Sequence, residues 1–120
     1  MPDSTLPESG APSSPLYSLN LSPIEDDLKK LLKTHHHLKK LFEETCQELE
    51  KNPRHGRVFE YLPPAWQGVI LRCEIGGKNG FRLVYYWRDG DKIIHLLLIF
   101  QRKDEYPSIP YIVKKARAIV

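Results

Sequence analysis

The chain has 120 residues, enough for one domain with a single core, which excludes repeat arrays and two-domain enzymes. Its net charge of +3 is unevenly spread: residues 1–20 carry −2, residues 21–51 carry −1, and residues 52–120 carry six acidic against twelve basic side chains. All seven arginines lie in this last part. Because the planar guanidinium suits phosphate groups, nucleic acid becomes a candidate partner of the C-terminal half, and surface solubility is the alternative.

Hydrophobic residues make up 41% of the chain and charged residues 28%, which is typical of a soluble globular protein. No stretch approaches the roughly 18 apolar residues that span a bilayer, and the N-terminus lacks a leader pattern, so we expect a cytoplasmic protein with no membrane partner. Cys46 and Cys73 are too isolated for a disulfide framework and are predicted to be buried, reduced thiols. The adjacent histidines 35–37 cannot converge on one ion from a helix, so no metal site is expected, and since the sequence holds no glycine-rich dinucleotide fingerprint, no other cofactor is expected.

The first part of the chain is predicted to contain a tail, a strand and the start of a helix. Residues 1–15 are rich in Pro, Ser and acidic side chains and predict a disordered tail, which leaves residues 16–120 as the folded domain. The apolar residues between Leu16 and Leu21 predict a short strand. Ser22-Pro23-Ile24-Glu25 then predicts a capping box with proline in the first helical turn.

Two apolar stripes at helical spacing predict a hairpin of amphipathic helices. The stripes consist of Ile24, Leu28, Leu31 and Leu32, and of Leu38, Leu41, Phe42, Cys46 and Leu49. A break is predicted near Lys33-Thr34, and the second helix should end at Asn52-Pro53, because the residue before a proline is pushed out of the α region. Residues 54–67 then predict an irregular connection.

From Gly68 the apolar period changes to two, which predicts strands over residues 68–75, 81–88 and 92–100. A glycine-rich turn over residues 76–80 and the hairpin signal Asp89-Gly90-Asp91 separate them. The third strand is apolar on both faces apart from His95, which predicts an interior strand and a half-buried histidine. A helix after Pro107–Pro110 completes an α+β fold in the order β-α-α-β-β-β-α.

The predicted turn places several charges on one face of the sheet. If Ile75 faces Phe81, Glu74 lies opposite Arg82, and Arg72 becomes a diagonal neighbour of Arg82 at about 7–8 Å. Two cations at that distance repel each other unless a phosphate or Glu74 compensates them. A phosphate site and a solvated ionic cluster both fit this pattern.

Further basic and aromatic side chains lie near the ends of the predicted strands. Lys78 in the glycine-rich turn could bind phosphate, although the spacing is not that of a P-loop. Arg102 and Lys103 end the last strand, and Tyr106 and Tyr111 follow. These tyrosines could stack on RNA bases or pack at the edge of the sheet.

The segments GFRLVYYW (residues 80–87), KIIHLLLIF (residues 92–100) and QRKDEY (residues 101–106) resemble the RelE/ParE toxin superfamily. Within it, they are most similar to the RelE- and HigB-like toxins of type II toxin–antitoxin systems. The resemblance covers about residues 16–120 and is most specific over residues 68–105. It implies a RelE-like fold with an N-terminal strand, a helical hairpin, a three-stranded antiparallel meander and a C-terminal helix.

The resemblance implies an endoribonuclease that cuts mRNA during translation on the ribosome, through attack of the ribose 2′-hydroxyl on its phosphate. It also implies an antitoxin, encoded next to the toxin, that holds it inactive. Two other functions stay open: inhibition of DNA gyrase, as in the ParE toxins, and a non-catalytic homologue that binds RNA or an antitoxin.

The resemblance also assigns site residues. Arg82 matches the arginine that clamps the phosphate and stabilises the transition state, whereas Arg72 and Lys78 would bind phosphate or orient the base. Arg102 or Lys103 would supply the cation at the end of the last strand, and Tyr111, or alternatively Tyr106, would stack or transfer a proton. The residues predicted to bind RNA are Tyr86, Arg88 and Tyr106. Since arginine stays protonated near neutral pH, the general base is not identified.

Overall fold

A computed structural model describes residues 16–59, 61–76 and 80–119. The predicted tail (residues 1–15) and Lys78 lie outside the described residues. The strands are β1 (Ser18–Asn20), β2 (Arg57–Val58), β3 (Ile70–Ile75), β4 (Phe81–Tyr86) and β5 (Ile93–Gln101), and the helices are α1 (Glu25–Thr34), α2 (Leu38–Lys51) and α3 (Ile109–Arg117). The predicted α+β class is therefore confirmed.

The five strands form one sheet in the order β1-β5-β4-β3-β2. β1 runs parallel to β5, and the other pairs are antiparallel. The predicted register across the glycine-rich turn is confirmed, because Ile75 pairs with Phe81 and Glu74 pairs with Arg82. The apolar β5 lies between two strands, as predicted, and the Nδ1 atom of the half-buried His95 lies 3.0 Å from the Nδ2 atom of Asn20.

The start of the first helix differs from the prediction. Residues Ser22–Ile24 form a 3₁₀ turn, and the helix proper begins at Glu25 without a side-chain cap. The capping-box prediction is wrong because the Ser22 backbone N–H instead donates to Oδ1 of Asn20, at 3.1 Å, in a turn that leads directly out of β1. The break between the helices lies at residues 35–37, slightly later than predicted.

The segment predicted to be irregular contains the additional edge strand β2. With two residues, β2 is too short to show a period in the sequence, and Pro63-Pro64 nearby suggested a loop. Its pairing places Arg57 directly opposite Arg72. Arg57, which the sequence pattern assigned to an irregular connection, thus lies on the same face of the sheet as Arg72.

A bulge in β5 changes which side chains face the same way. Val84 pairs with Leu98 and Tyr85 pairs with Leu96, so Leu97 has no partner in register. An extra residue reverses the alternation of side chains beyond it. Phe100 consequently lies opposite Arg82, on the face away from the helical hairpin.

The two faces of the sheet are covered unequally. The α1–α2 hairpin packs on one face, where Leu38, Phe42 and Leu49 share a core with buried residues of β3, β4 and β5. On the other face, Ile112 and Ala116 of α3 pack over one end of the strands, against a cluster that contains Ile70, Val84, Tyr86 and Leu98. Toward the other end, this face carries the partly exposed side chains described below. None of the helices in the described ranges is long and apolar enough to cross a membrane.

Candidate functional site

Four neighbouring strands each bring one arginine to the part of the sheet that α3 leaves uncovered. The arginines are Arg57 on β2, Arg72 on β3, Arg82 on β4 and Arg102 directly after β5. The backbone N–H of Arg102 donates to the Gly80 carbonyl at 2.9 Å, which fixes this residue beside the start of β4. We call these four residues the arginine cluster.

Glu74 lies within the arginine cluster. Its Oε1 atom lies 3.1 Å from Nε of Arg102, and its Oε2 atom lies 3.7 Å from Nε of Arg82. One carboxylate thus partly compensates two guanidiniums, while the other two arginines add further positive charge. The cluster keeps an excess of positive charge that could attract an anion.

Tyr106 supports two guanidiniums of the cluster through its ring. The Cζ atom of Arg82 lies 4.5 Å from the ring centroid, that of Arg72 lies 5.5 Å away, and Nη1 of Arg72 donates to the tyrosine hydroxyl at 3.0 Å. Phe100 and Phe59 pack edge-on against the same ring, with centroids 5.4 and 5.6 Å away. These cation–π contacts position the guanidiniums without neutralising them.

Two donors in the cluster make no hydrogen bond within the described part of the chain, although one of them, Nε of Arg82, lies 3.7 Å from Glu74. The Nε atoms of Arg72 and Arg82 are buried and make no hydrogen bond to any of the described residues. An unsatisfied buried donor costs roughly 1–3 kcal/mol, and more when it is charged. Two such donors on one face of the sheet are compatible with an anion that binds there.

A cavity of about 290 Å³ lies beside the cluster. It is lined by His55, Gly56, Arg57, Arg72, Cys73, Glu74, Arg102 and Tyr106. Nε2 of His55, on the 3₁₀ turn before β2, lies 3.7 Å from Oε1 of Glu48. The lining of the cavity therefore combines three arginines with one histidine, His55, and one carboxylate, Glu74.

The buried hydroxyl of Tyr85 anchors the segment that carries His55 and Arg57. It donates to the Pro53 carbonyl at 2.6 Å and accepts from the Gly56 N–H at 2.9 Å. Burial raises the pKa of Tyr85, so the phenol stays neutral. At Gly56, a Cβ atom would lie 2.5 Å from the carbonyl oxygen of Arg72, which restricts this position to glycine.

The structure brings together four of the predicted site residues: Arg72, Arg82, Arg102 and Tyr106. Lys103 is exposed, and so is Tyr111 in the first turn of α3; neither is among the described residues that line the cavity. Of the two alternatives at the end of the last strand, Arg102 thus joins the site.

Tyr86 and Arg88, predicted to bind RNA, lie elsewhere. The Tyr86 side chain is only 3% exposed and packs against Trp66, so its ring is not available for base stacking. The exposed Arg88 donates from Nε to the Tyr86 hydroxyl at 3.2 Å, a hydrogen bond that raises the pKa of Arg88. Tyr86 shares the face of the arginine cluster, but α3 covers its end of the strand.

His55, Arg57 and Phe59 were not predicted as site residues. All three lie in the segment that lacks a readable period. The alternation of Arg57, Val58 and Phe59 beside a glycine was the one available signal for a strand, and it is too short to distinguish a strand from a loop.

Comparison with known protein families identifies the class of protein. The model of the ParE toxin of the type II toxin–antitoxin system parDE matches residues 22–106. The chain belongs to this family. The match extends from the turn before α1 to Tyr106, so it includes the whole arginine cluster of the toxin. A search of curated proteins finds no match.

Family membership confirms the prediction of a RelE/ParE superfamily toxin of a type II toxin–antitoxin system. It also implies a cognate antitoxin as a partner of this toxin.

Proposed function

We propose that this toxin is an endoribonuclease that cleaves mRNA on the ribosome during translation. The supporting observation is the arginine cluster, in which four strands direct cations to one small region of the sheet. Attack of a ribose 2′-hydroxyl on the adjacent phosphate forms a 2′,3′-cyclic phosphate and breaks the bond to the 5′-oxygen, which takes up a proton from solvent and leaves as a hydroxyl. Negative charge builds up on the phosphate oxygens during this exchange. Preorganised guanidiniums stabilise that charge, and removal of one such donor typically lowers the rate about 10²- to 10³-fold.

In this proposal Arg82 holds the phosphate that reacts, because its guanidinium lies 4.5 Å from the Tyr106 ring centroid and its strand, β4, lies between β3 with Arg72 and β5 with Arg102 at its end. Arg72 and Arg102 contact the oxygens on either side. Glu74 occupies Arg82 and Arg102 in the free protein, and the incoming phosphate takes over part of that interaction. The carboxylate thereby keeps both side chains in place before RNA binds.

We further propose that His55 accepts the proton of the 2′-hydroxyl. Arginine is a poor base near neutral pH, histidine is the side chain that most often serves as a general base, and His55 lines the cavity. His55→Gln should slow cleavage about 10²- to 10⁴-fold and leave the Kd for RNA unchanged. Cleavage at the wild-type rate by this variant would remove His55 from the mechanism.

The proposed function is tested by expressing Arg82→Ala and the matched control Arg117→Ala, which removes an exposed arginine from α3. We expect Arg82→Ala to relieve growth arrest and to leave mRNA intact, whereas Arg117→Ala stays as toxic as the wild type. Circular dichroism of both variants checks the fold. Growth arrest by a folded Arg82→Ala variant at the wild-type level would contradict the site assignment.

Inhibition of DNA gyrase is the second candidate, and the match to the ParE toxin favours it. A gyrase inhibitor does not need a phosphate-stabilising cavity, so its toxicity should not depend on Arg82. In a supercoiling assay with purified gyrase, inhibition by both wild type and Arg82→Ala would support this second function.

A further inference from the structure

A second cavity, of about 440 Å³, adjoins the arginine cluster. It shares Arg72 and Tyr106 with the first cavity, and its other lining residues are Phe59, Tyr61, Pro107, Ser108 and Ile109. We call it the aromatic cavity. Its volume falls within the range of roughly 300–1,000 Å³ that is typical of small-molecule sites.

The two cavities differ in chemistry. Charged side chains supply four of the eight residues that line the first cavity. The aromatic cavity contains three aromatic rings, two further apolar residues and Arg72 as its one charged side chain among the described residues. Flat apolar walls with a cation at one edge are suited to a planar heterocycle that carries a phosphate.

Tyr61 is the most exposed large hydrophobic side chain in the described part of the chain. Its side chain is 83% exposed, although a ring of this size would normally be buried against the core. Phe59 and Tyr106, in contrast, pack edge-on against each other. A free aromatic face at the rim of a cavity is the arrangement on which nucleobases stack in single-strand binding proteins.

Arg72 connects the two cavities. Its Cζ atom lies 5.5 Å from the ring centroids of both Phe59 and Tyr106, and its Nη1 atom donates to the Tyr106 hydroxyl. A group in the aromatic cavity would therefore lie beside the guanidinium that faces the first cavity. A nucleotide has the same arrangement, because its apolar base and its charged phosphate lie next to each other. The base would match the aromatic cavity and the phosphate would match the first cavity.

We propose that the aromatic cavity is a nucleobase subsite for single-stranded RNA, in which Tyr61 stacks on a base while the arginine cluster holds the neighbouring phosphate. This inference rests on the proposed ribonuclease function and adds to it a reason for recognising unpaired bases. It implies that affinity depends on the presence of a base and not on phosphates alone.

The test measures binding of two short RNA strands of equal length, one intact and one with abasic sugars, to the full-length toxin and to Tyr61→Ala. We expect Tyr61→Ala to weaken binding of the intact strand about tenfold, as loss of one stacking platform does, and to leave binding of the abasic strand unchanged. Tyr61→Phe keeps the ring and should bind both strands like the wild type.

Three other outcomes would overturn the inference in distinguishable ways. If both strands bind equally and Tyr61→Ala changes neither Kd, the phosphate site stands and the base subsite does not exist. If Tyr61→Ala weakens binding of the antitoxin but not of intact RNA, the cavity is a protein-docking site. If the wild type binds neither strand, the proposed ribonuclease function itself fails.

Discussion

Glu74 limits the positive charge of the arginine cluster. Its two oxygens lie 3.1 and 3.7 Å from the Nε atoms of Arg102 and Arg82, and both of those arginines are required for phosphate binding in the proposed mechanism. A bound phosphate therefore competes with this carboxylate. The same side chain that holds the two guanidiniums in place also weakens their affinity for RNA.

Replacement of Glu74 by Gln should consequently strengthen RNA binding. Removing one negative charge within a few ångströms of the phosphate is worth about 1 kcal/mol at a partly exposed site, or roughly fivefold in Kd. Fluorescence anisotropy with a short single-stranded RNA at fixed salt measures the change. Glu44→Gln, on the exposed side of α2, is the matched control, and equal Kd values for the two variants would contradict this role of Glu74.

His95 should make the toxin less stable in mildly acidic solution. Burial lowers the pKa of His95, although the nearby Asp91 acts in the opposite direction, and the ring contacts the side chain of Asn20. The unfolded chain binds a proton at the ordinary pKa near 6.5, whereas the folded protein resists protonation to a lower pH. Stability is therefore fully present above about pH 6.5 and declines as the pH falls below it.

Urea unfolding at pH 7.5 and at pH 5.5 checks this prediction. We expect the wild type to lose more unfolding free energy between the two pH values than His95→Gln does, because glutamine does not titrate. Equal losses in both proteins would show that other groups cause the decline.

At the residue scale, the sequence predicted which charged side chains share one face of the sheet. Strand pairing follows from a period of two and a glycine turn, so the sequence places Arg72, Glu74 and Arg82 on one face, and the observed register confirms this prediction. Tyr86 was wrongly expected to be accessible to RNA. The alternation of apolar and polar residues indicates on which face of the sheet a side chain lies, but it does not indicate which helix covers that face, and α3 buries Tyr86.

The segment from Pro53 to Val58 is the element on which the cavity most depends. It carries His55 and Arg57, and the hydroxyl of Tyr85 holds it through two hydrogen bonds. Its glycine approaches the backbone of β3 so closely that a Cβ atom would displace it. A small shift of this segment would move the side chains of His55 and Arg57 away from Arg72.

Gly56→Ala should therefore slow RNA cleavage strongly and lower the free energy of unfolding only slightly, because the segment can move outward while the core remains packed.

Tyr85→Phe removes both hydrogen bonds and should lower the free energy of unfolding by about 1–3 kcal/mol, because the Pro53 carbonyl and the Gly56 N–H lose their partner. Cleavage rates and urea unfolding of the two variants measure these effects. Full activity in Gly56→Ala would show that the cavity tolerates displacement of the segment.

At the scale of elements, the sequence predicted the helical hairpin, the meander and the last helix, because each is long enough to show its period. It did not predict β2, which has two residues, or the bulge at Leu97. The bulge lies inside an uninterrupted run of apolar residues. Since every residue of that run is apolar, the pattern of hydrophobicity does not change where the side chains change face. The bulge nevertheless directs Phe100 to Tyr106 and to the arginine cluster.

At the scale of the whole molecule, the net charge of +3 averages over two different regions. The part of the chain that contains the helical hairpin is slightly acidic, and the part that contains β2–β5 and α3 is basic. α3 covers only part of its face of the sheet, and the arginines occupy the rest. We expect the cognate antitoxin to cover this region with acidic side chains, since complementary charge promotes association.

The ribonuclease proposal is tested by the chemistry of the RNA ends produced in a translating extract. Under it, wild-type toxin and Arg117→Ala should generate mRNA fragments with 2′,3′-cyclic phosphate and 5′-hydroxyl ends, and Arg82→Ala should lower their yield at least about 10²-fold. Intact mRNA in the presence of wild-type toxin, with gyrase supercoiling inhibited at the same concentration, would contradict it.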